Sequence, residues 1–206
     1  MTDEMDGKDL AERVKLIESM MAEGRQRTAR WGWTFVLWGV AYLVATAWSS
    51  GLLGGPVWAQ HLLAWPVTMI AASIATGVAI SRMKKGQPAT TLGRAIGATW
   101  MAMGISLFVV LMALGLSGRF DLHVFVAIIG GMLGVANMTS AIILKWKMQF
   151  ACAVVWLASA VAACFGTVEQ AGMAFIAATF FCQIVFGIYA MICESRRSRQ
   201  NGVVHA

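Results

Sequence analysis

The amino-acid sequence predicts an all-α integral membrane protein, with six transmembrane helices arranged as three hairpins and preceded by a cytoplasmic amphipathic helix. Three observations lead there. Six apolar runs, at 31–50, 58–81, 96–117, 123–144, 149–166 and 171–193, contain no Asp, Glu, Lys or Arg. A helix needs roughly 20 apolar residues to cross the hydrocarbon core, and each run is near that length. Of the 16 Lys and Arg residues, only Arg119 falls in the first, third or fifth gap between runs. Finally, 59% of residues are hydrophobic and 13% charged, against about 25% charged in soluble domains.

The charge asymmetry also sets orientation. Lys8, Arg13, Lys15, Arg25, Arg27 and Arg30 precede the first run. Arg82, Lys84, Lys85 and Arg94 fill the second gap, Lys145 and Lys147 the fourth, and Arg196, Arg197 and Arg199 the tail. Basic residues stay on the cytoplasmic side, so both termini are expected there. The chain divides into a helix within 1–30, a transmembrane domain at 31–193 and a basic cytoplasmic tail at 194–206. The expected location is the bacterial inner (plasma) membrane. The net charge of +6 follows from topology and from the anionic leaflet that the bases face, so no nucleic-acid partner is expected. Residues 1–30 are polar and acidic without an apolar h-region, and a cleaved signal peptide is not expected either.

Within the first segment, Asp9 and Glu12 form an Asp-x-x-Glu capping pattern. Leu10, Val14, Ile17 and Met21 then recur at helical spacing on one face. Asp9–Arg13 and Glu12–Lys15 supply helix-supporting charge pairs. In the first run, Trp31 and Trp33 lie at the inner interface and Trp48 at the outer one, as an aromatic belt requires. Trp58 and Trp146 are placed at interfaces too. Trp38, Trp65, Trp100 and Trp156 lie deeper, where a buried indole N–H wants a partner.

A faint repeat accompanies the hairpins. His61 opens and Lys84 closes the second run; His123 opens and Lys145 closes the fourth; Glu169-Gln170 takes the histidine's place before the sixth. Small residues mark where backbones can approach in lipid. They are Ala71, Ala75 and Ala79 with Ser73, Thr76 and Gly77 in the second run, Gly93, Gly97 and Gly104 around the third, and Gly130-x-x-x-Gly134 in the fourth.

The spans contain no permanently charged residue, which argues against a proton-driven pump or a voltage sensor. At depth the polar set is Thr68, Ser73, Thr76, Ser106, Asn137, Ser140, Ser159, Thr179, Gln183 and Tyr189, with Asn137 and Gln183 the most prominent. The outer helix ends carry Gln60, His61, Trp65, Pro66, Arg119, Asp121 and His123, which can converge on an outward pocket lined by Trp65 and Phe125. Proline frees a carbonyl and kinks a helix, so Pro66 can open that vestibule. The candidate ligand pocket is therefore Gln60, His61, Trp65, Arg119, Asp121 and His123, with Asn137 and Gln183 below. The plainer reading treats these as the polar residues that every interfacial helix end requires.

No cofactor is expected, with one alternative: His61 and His123 at equal depth as axial ligands of one b-type haem. Cys152, Cys164, Cys182 and Cys193 have no metal-knuckle spacing and read as packing residues. No nucleophile–base arrangement can be assembled at depth, so an enzyme is not expected and no catalytic residue is assigned.

Leu16-Ile17-Glu18-Ser19-Met20-Met21, then Arg25 to Arg30, then Gly32-Trp33 and Gly39, resemble a group of uncharacterised bacterial six-helix inner-membrane proteins. The resemblance covers the first 45 residues and the hydropathy layout, and implies topology alone. Size, six helices and an AxxxA at Ala41-Tyr-Leu-Val-Ala45 are also similar to the substrate-binding subunits of energy-coupling-factor transporters. That likeness implies cytoplasmic partner subunits, since the chain has no nucleotide-binding loop. Three functional expectations follow. One is a non-enzymatic accessory or sensory subunit that docks a protein partner, or another copy, through Leu10, Val14, Ile17 and Met21. The others are a small-molecule binding or transport component with the outer pocket, and a single-haem electron carrier.

Overall fold

Spacing and capping place the helices, and packing between small residues holds them together. The computed structural model describes residues 10–22, 24, 31–82, 91–119 and 121–204. Lys8, Asp9, Arg25, Arg27, Arg30, Lys84 and Lys85, on which parts of the sequence reading rest, lie outside the described residues. Regular structure among the described residues is entirely helical. Helix α1 covers residues 10–22. It is followed by α2 (Gly32–Ser49), α3 (Val57–Leu62), α4 (Ala64–Arg82), α5 (Thr91–Leu116), α6 (Leu122–Leu144), α7 (Lys147–Phe165), α8 (Val168–Thr179) and α9 (Phe186–Val204). Between α8 and α9 the chain stays helical but widens into a π-helical segment, Phe180–Val185.

Five helical stretches are long and apolar enough to cross a membrane: Ala64–Arg82, Leu92–Leu116, Leu122–Leu144, Lys147–Phe165 and Val168–Arg196. The chain is thus an all-α, multi-pass membrane protein. Helix α2, at the first apolar run, is not among the five. It has 18 residues, and Trp33, Trp38, Tyr42 and Trp48 dilute its apolar character. Its inward face is nonetheless regular. Gly32, Phe35, Gly39, Tyr42 and Ala45 are buried, three and four positions apart, as one helical stripe requires.

The second apolar run is divided. Leu63 separates α3 from α4, and its N–H bonds back to Ala59 O at 2.9 Å. Pro66 explains the break: without an N–H it cannot donate to the carbonyl four residues back, and it falls in the first turn of α4, where no donor is needed. At the other end of the bundle, Lys145 closes α6 in the left-handed region, with φ 49°. The Trp146 N–H then reaches Ala141 O at 3.0 Å and the Lys145 N–H reaches Ile142 O at 3.3 Å, the bonding of a Schellman turn. That two-residue link turns the chain straight into α7.

Consecutive helices pack pairwise, α2 on α4, α5 on α6 and α7 on α8, yet the most extensive contact is between α6 and α7. Glycine makes it possible. A Cβ on Gly130 would lie 2.8 Å from Trp156 O, and one on Gly134 would lie 2.7 Å from Leu157 side-chain carbons. Helix α2 then closes on α9 and the π-helical segment, crossing where a Cβ on Gly32 or Gly187 would meet the other's carbonyl at 2.8 Å. The remaining small residues are used differently: a Cβ on Gly77, Gly97 or Gly104 would meet nothing within 4 Å. Among the described residues α4 lies on α2 and α3, α5 lies on α6, and α4 and α5 do not pack on each other.

Candidate functional site

Of the polar residues expected at the outer helix ends, Gln60, Asp121, His123 and Gln170 are engaged locally. Gln60 folds onto its own loop, its Nε2 donating to Gly55 O at 2.9 Å. His61 lies exposed on the short helix α3, and Arg119 is exposed beyond the end of α5. Asp121 is the N-cap of α6, its carboxylate accepting from the His123 N–H at 2.6 Å. The His123 ring is half-buried, and its Nδ1–H donates to Ala163 O on α7 at 2.8 Å. Only a donor can face a carbonyl, so that bond fixes the proton on Nδ1 and leaves Nε2 as the acceptor. Gln170 serves a capping box with Thr167 at the start of α8. Removing the Asp121 cap should cost about 1 kcal/mol. Asp121→Ala is thus expected to lower the thermal midpoint of the purified protein by a few degrees, and an unmoved midpoint would show that the cap is idle.

Below this rim, aromatic rings fill the space between helices. Trp65 on α4 meets Phe125 on α6 with ring centroids 4.5 Å apart, edge to face. Phe175 joins at 5.6 Å from Phe125 and 6.1 Å from Trp65, and Tyr42 at 6.2 Å from Trp65. Trp156 completes the cluster 6.2 Å from Phe175. The two rings proposed to line the outer pocket therefore touch, and a guest there has to part them. No group of three or more His, Cys, Asp or Glu among the described residues is placed to hold a metal ion.

Further polar side chains are enclosed at several levels of the bundle. Asn137, Ser140, Gln149, Ser159, Thr179 and Gln183 are all buried. Some are satisfied: the Trp100 Nε1–H donates to Ser140 Oγ at 3.0 Å, joining α5 to α6, and Ser159 donates to Trp156 O. The Asn137 Nδ2–H donates to Leu133 O at 2.8 Å. Others are not. Asn137 Oδ1, both polar atoms of Gln149, Thr179 Oγ1, Gln183 Oε1 and the Trp156 indole N–H are buried without a hydrogen-bond partner. Native interiors leave few such groups unpaired, and in lipid no bulk water is at hand to relieve them.

Of the residues expected at this depth, Asn137 and Gln183 are buried with one orphaned oxygen each. Gln149 was missed because it opens the fifth apolar run, where a polar residue ordinarily meets headgroups. Its spacing held a signal: Gln149, Cys152, Ala153, Trp156, Ser159 and Ala163 form the single buried face of α7. Thr179 and Gln183 flank or belong to the π-helical segment, a distortion frequent at functional sites.

Fold and site together define a multi-pass helical membrane protein with a closed aromatic cluster and several buried, unpartnered polar groups. No protein-family model, no curated protein and no solved structure matches the chain.

Proposed function

We propose that this protein is a non-enzymatic accessory or sensory subunit of a bacterial inner-membrane complex, docking a protein partner through α1. In this reading α2 is the first of six spans and both termini are cytoplasmic. Its three tryptophans then belong to the membrane interface and to the bundle core, where a hydropathy scale undervalues them.

One observation supports the docking role above others. Leu10, Val14 and Ile17 are 64%, 48% and 55% exposed, on a helix whose far end is held: a Cβ on Gly24 would lie 2.6 Å from Leu144 and 3.3 Å from Leu92. The helix thus leaves the inner ends of α5 and α6 with an apolar face uncovered. Helix-in-groove recognition reads such a face at i, i+4 and i+7. The membrane-facing helices account for their own apolar exposure through lipid, whereas α1 lies ahead of the first span.

Burying a Val and an Ile is worth about 1.5–3 kcal/mol each. The double variant Val14→Asp plus Ile17→Asp is therefore expected to reduce a partner retained from native membranes by about tenfold or more. The thermal midpoint of the six-helix part should be unchanged. Native mass spectrometry of gently extracted protein reads both quantities. Equal partner occupancy in wild type and variant would sink this reading.

A further inference from the structure

We infer that the bundle contains a buried hydration site between α7 and the π-helical segment, with the carboxamides of Gln149 and Gln183 as its walls. The inference does not depend on what α1 docks.

Two contacts fix the level of the site. Trp146 and Phe186 meet with ring centroids 5.2 Å apart, and Cys182 Sγ donates to Cys152 O at 3.5 Å. Gln149 falls between Trp146 and Cys152 on α7, and Gln183 falls between Cys182 and Phe186 on the facing segment. The two amides therefore share one level of the α7 interface. Gln183 also meets α2, at a position without a side chain: a Cβ on Gly39 would sit 2.7 Å from the Gln183 Cβ. Thr179, one turn before Gln183, adds an unpartnered hydroxyl.

What this level lacks identifies its occupant. Gln149 has both a donor and an acceptor unpartnered, Gln183 an acceptor, and Gln149 is 0% exposed. Burying an amide without a hydrogen bond costs roughly 2–7 kcal/mol, so the occupant must both donate and accept. It must also be neutral, because the spans carry no charged residue to compensate an ion. Water meets these conditions: buried waters bind about three otherwise unsatisfied groups apiece. The site adjoins the π-helical turn, a distortion frequent at functional sites.

Radiolytic footprinting of the full-length protein in ¹⁸O-labelled water tests the site. Hydroxyl radicals made from a resident water label the side chains beside it, whatever their distance from bulk solvent. Wild-type protein should take up ¹⁸O at Cys152 and Cys182, both buried, but not at Leu133 or Ile129, with Cys182, 2% exposed against 1% for each of these, the matched comparison. Labelling of the two cysteines should fall by about fivefold or more in Gln149→Met/Gln183→Met, which removes the polar walls at similar volume. Cysteines no more labelled than Leu133 in wild type would overturn the inference, and that comparison needs no variant to fold. Unchanged labelling in a folded double variant would overturn it as well. Thermal stability gives an independent sign. Replacing dry, orphaned amides by methionine raises the midpoint, whereas removing a hydrated pair lowers it, so a higher midpoint would count against the site.

Discussion

Gly130→Leu is expected to destabilise the protein by about 3 kcal/mol or more and to open the contact between α6 and α7. The first atom of any side chain at this position would lie 2.8 Å from Trp156 O, 2.9 Å from Ser159 Oγ and 3.1 Å from Ala160 Cβ. Two of these atoms cannot easily yield. The carbonyl belongs to the α7 backbone and accepts the Ser159 hydroxyl at 2.7 Å, and the Ala160 methyl has no rotamer to escape into. Relief requires moving one helix away from the other along the most extensive interface in the bundle. Gly97→Leu is the matched control, since a Cβ there meets nothing within 4 Å and glycine costs a helix up to about 1 kcal/mol relative to better formers. Thermal unfolding in detergent should separate the two variants widely. Equal midpoints would mean that α6 and α7 do not meet at Gly130.

The second large effect is expected at Trp156. Its side chain is completely buried beside Phe175, and deleting a core aromatic costs about 3–5 kcal/mol through lost contacts and the cavity left behind. Trp156→Ala should therefore approach the loss expected for Gly130→Leu. Trp156→Phe should stay within about 1 kcal/mol of wild type, because the indole N–H it removes has no partner to leave behind. A large loss for the phenylalanine variant would reveal that the N–H is bonded in the membrane. Thermal midpoints of both variants, measured in the same detergent, decide between these outcomes.

The sequence made some of this legible and hid the rest for physical reasons. Charge-free apolar runs report helices that face lipid, and five such runs correspond to stretches able to span. The first was harder to weigh, because Trp33, Trp38, Tyr42 and Trp48 serve packing and interface at once. Gly130-x-x-x-Gly134 announced a close approach, and the structure uses it; Gly97 and Gly104, seven residues apart and so also on one helical stripe, would meet nothing within 4 Å of an added Cβ. Spacing says that backbones can meet, whereas only the partner helix decides where. Pro66 signalled a disruption, which takes the form of a break at Leu63. The π-helical segment had no residue signature, since Phe180–Val185 reads as an ordinary apolar stretch. Gln149 was obscured by its position near a run's end, and only its burial face exposes it as part of the inner polar layer.

The closure of α2 on α9 and the π-helical segment has a consequence for biosynthesis. The glycine face of α2 finds its partners in α9 and the π-helical segment, some 130 residues later in the chain. At roughly 5–20 residues per second, that separation is a wait on the order of ten seconds. During it, the face of α2 that carries Gly32 and Gly39 lacks the neighbours that will cover it. The α6–α7 hairpin, closed by a two-residue turn, meets no such delay and packs as soon as both arms are inserted. Helix α2 can pair early with α4, but its glycine face is among the last surfaces of the bundle to be covered.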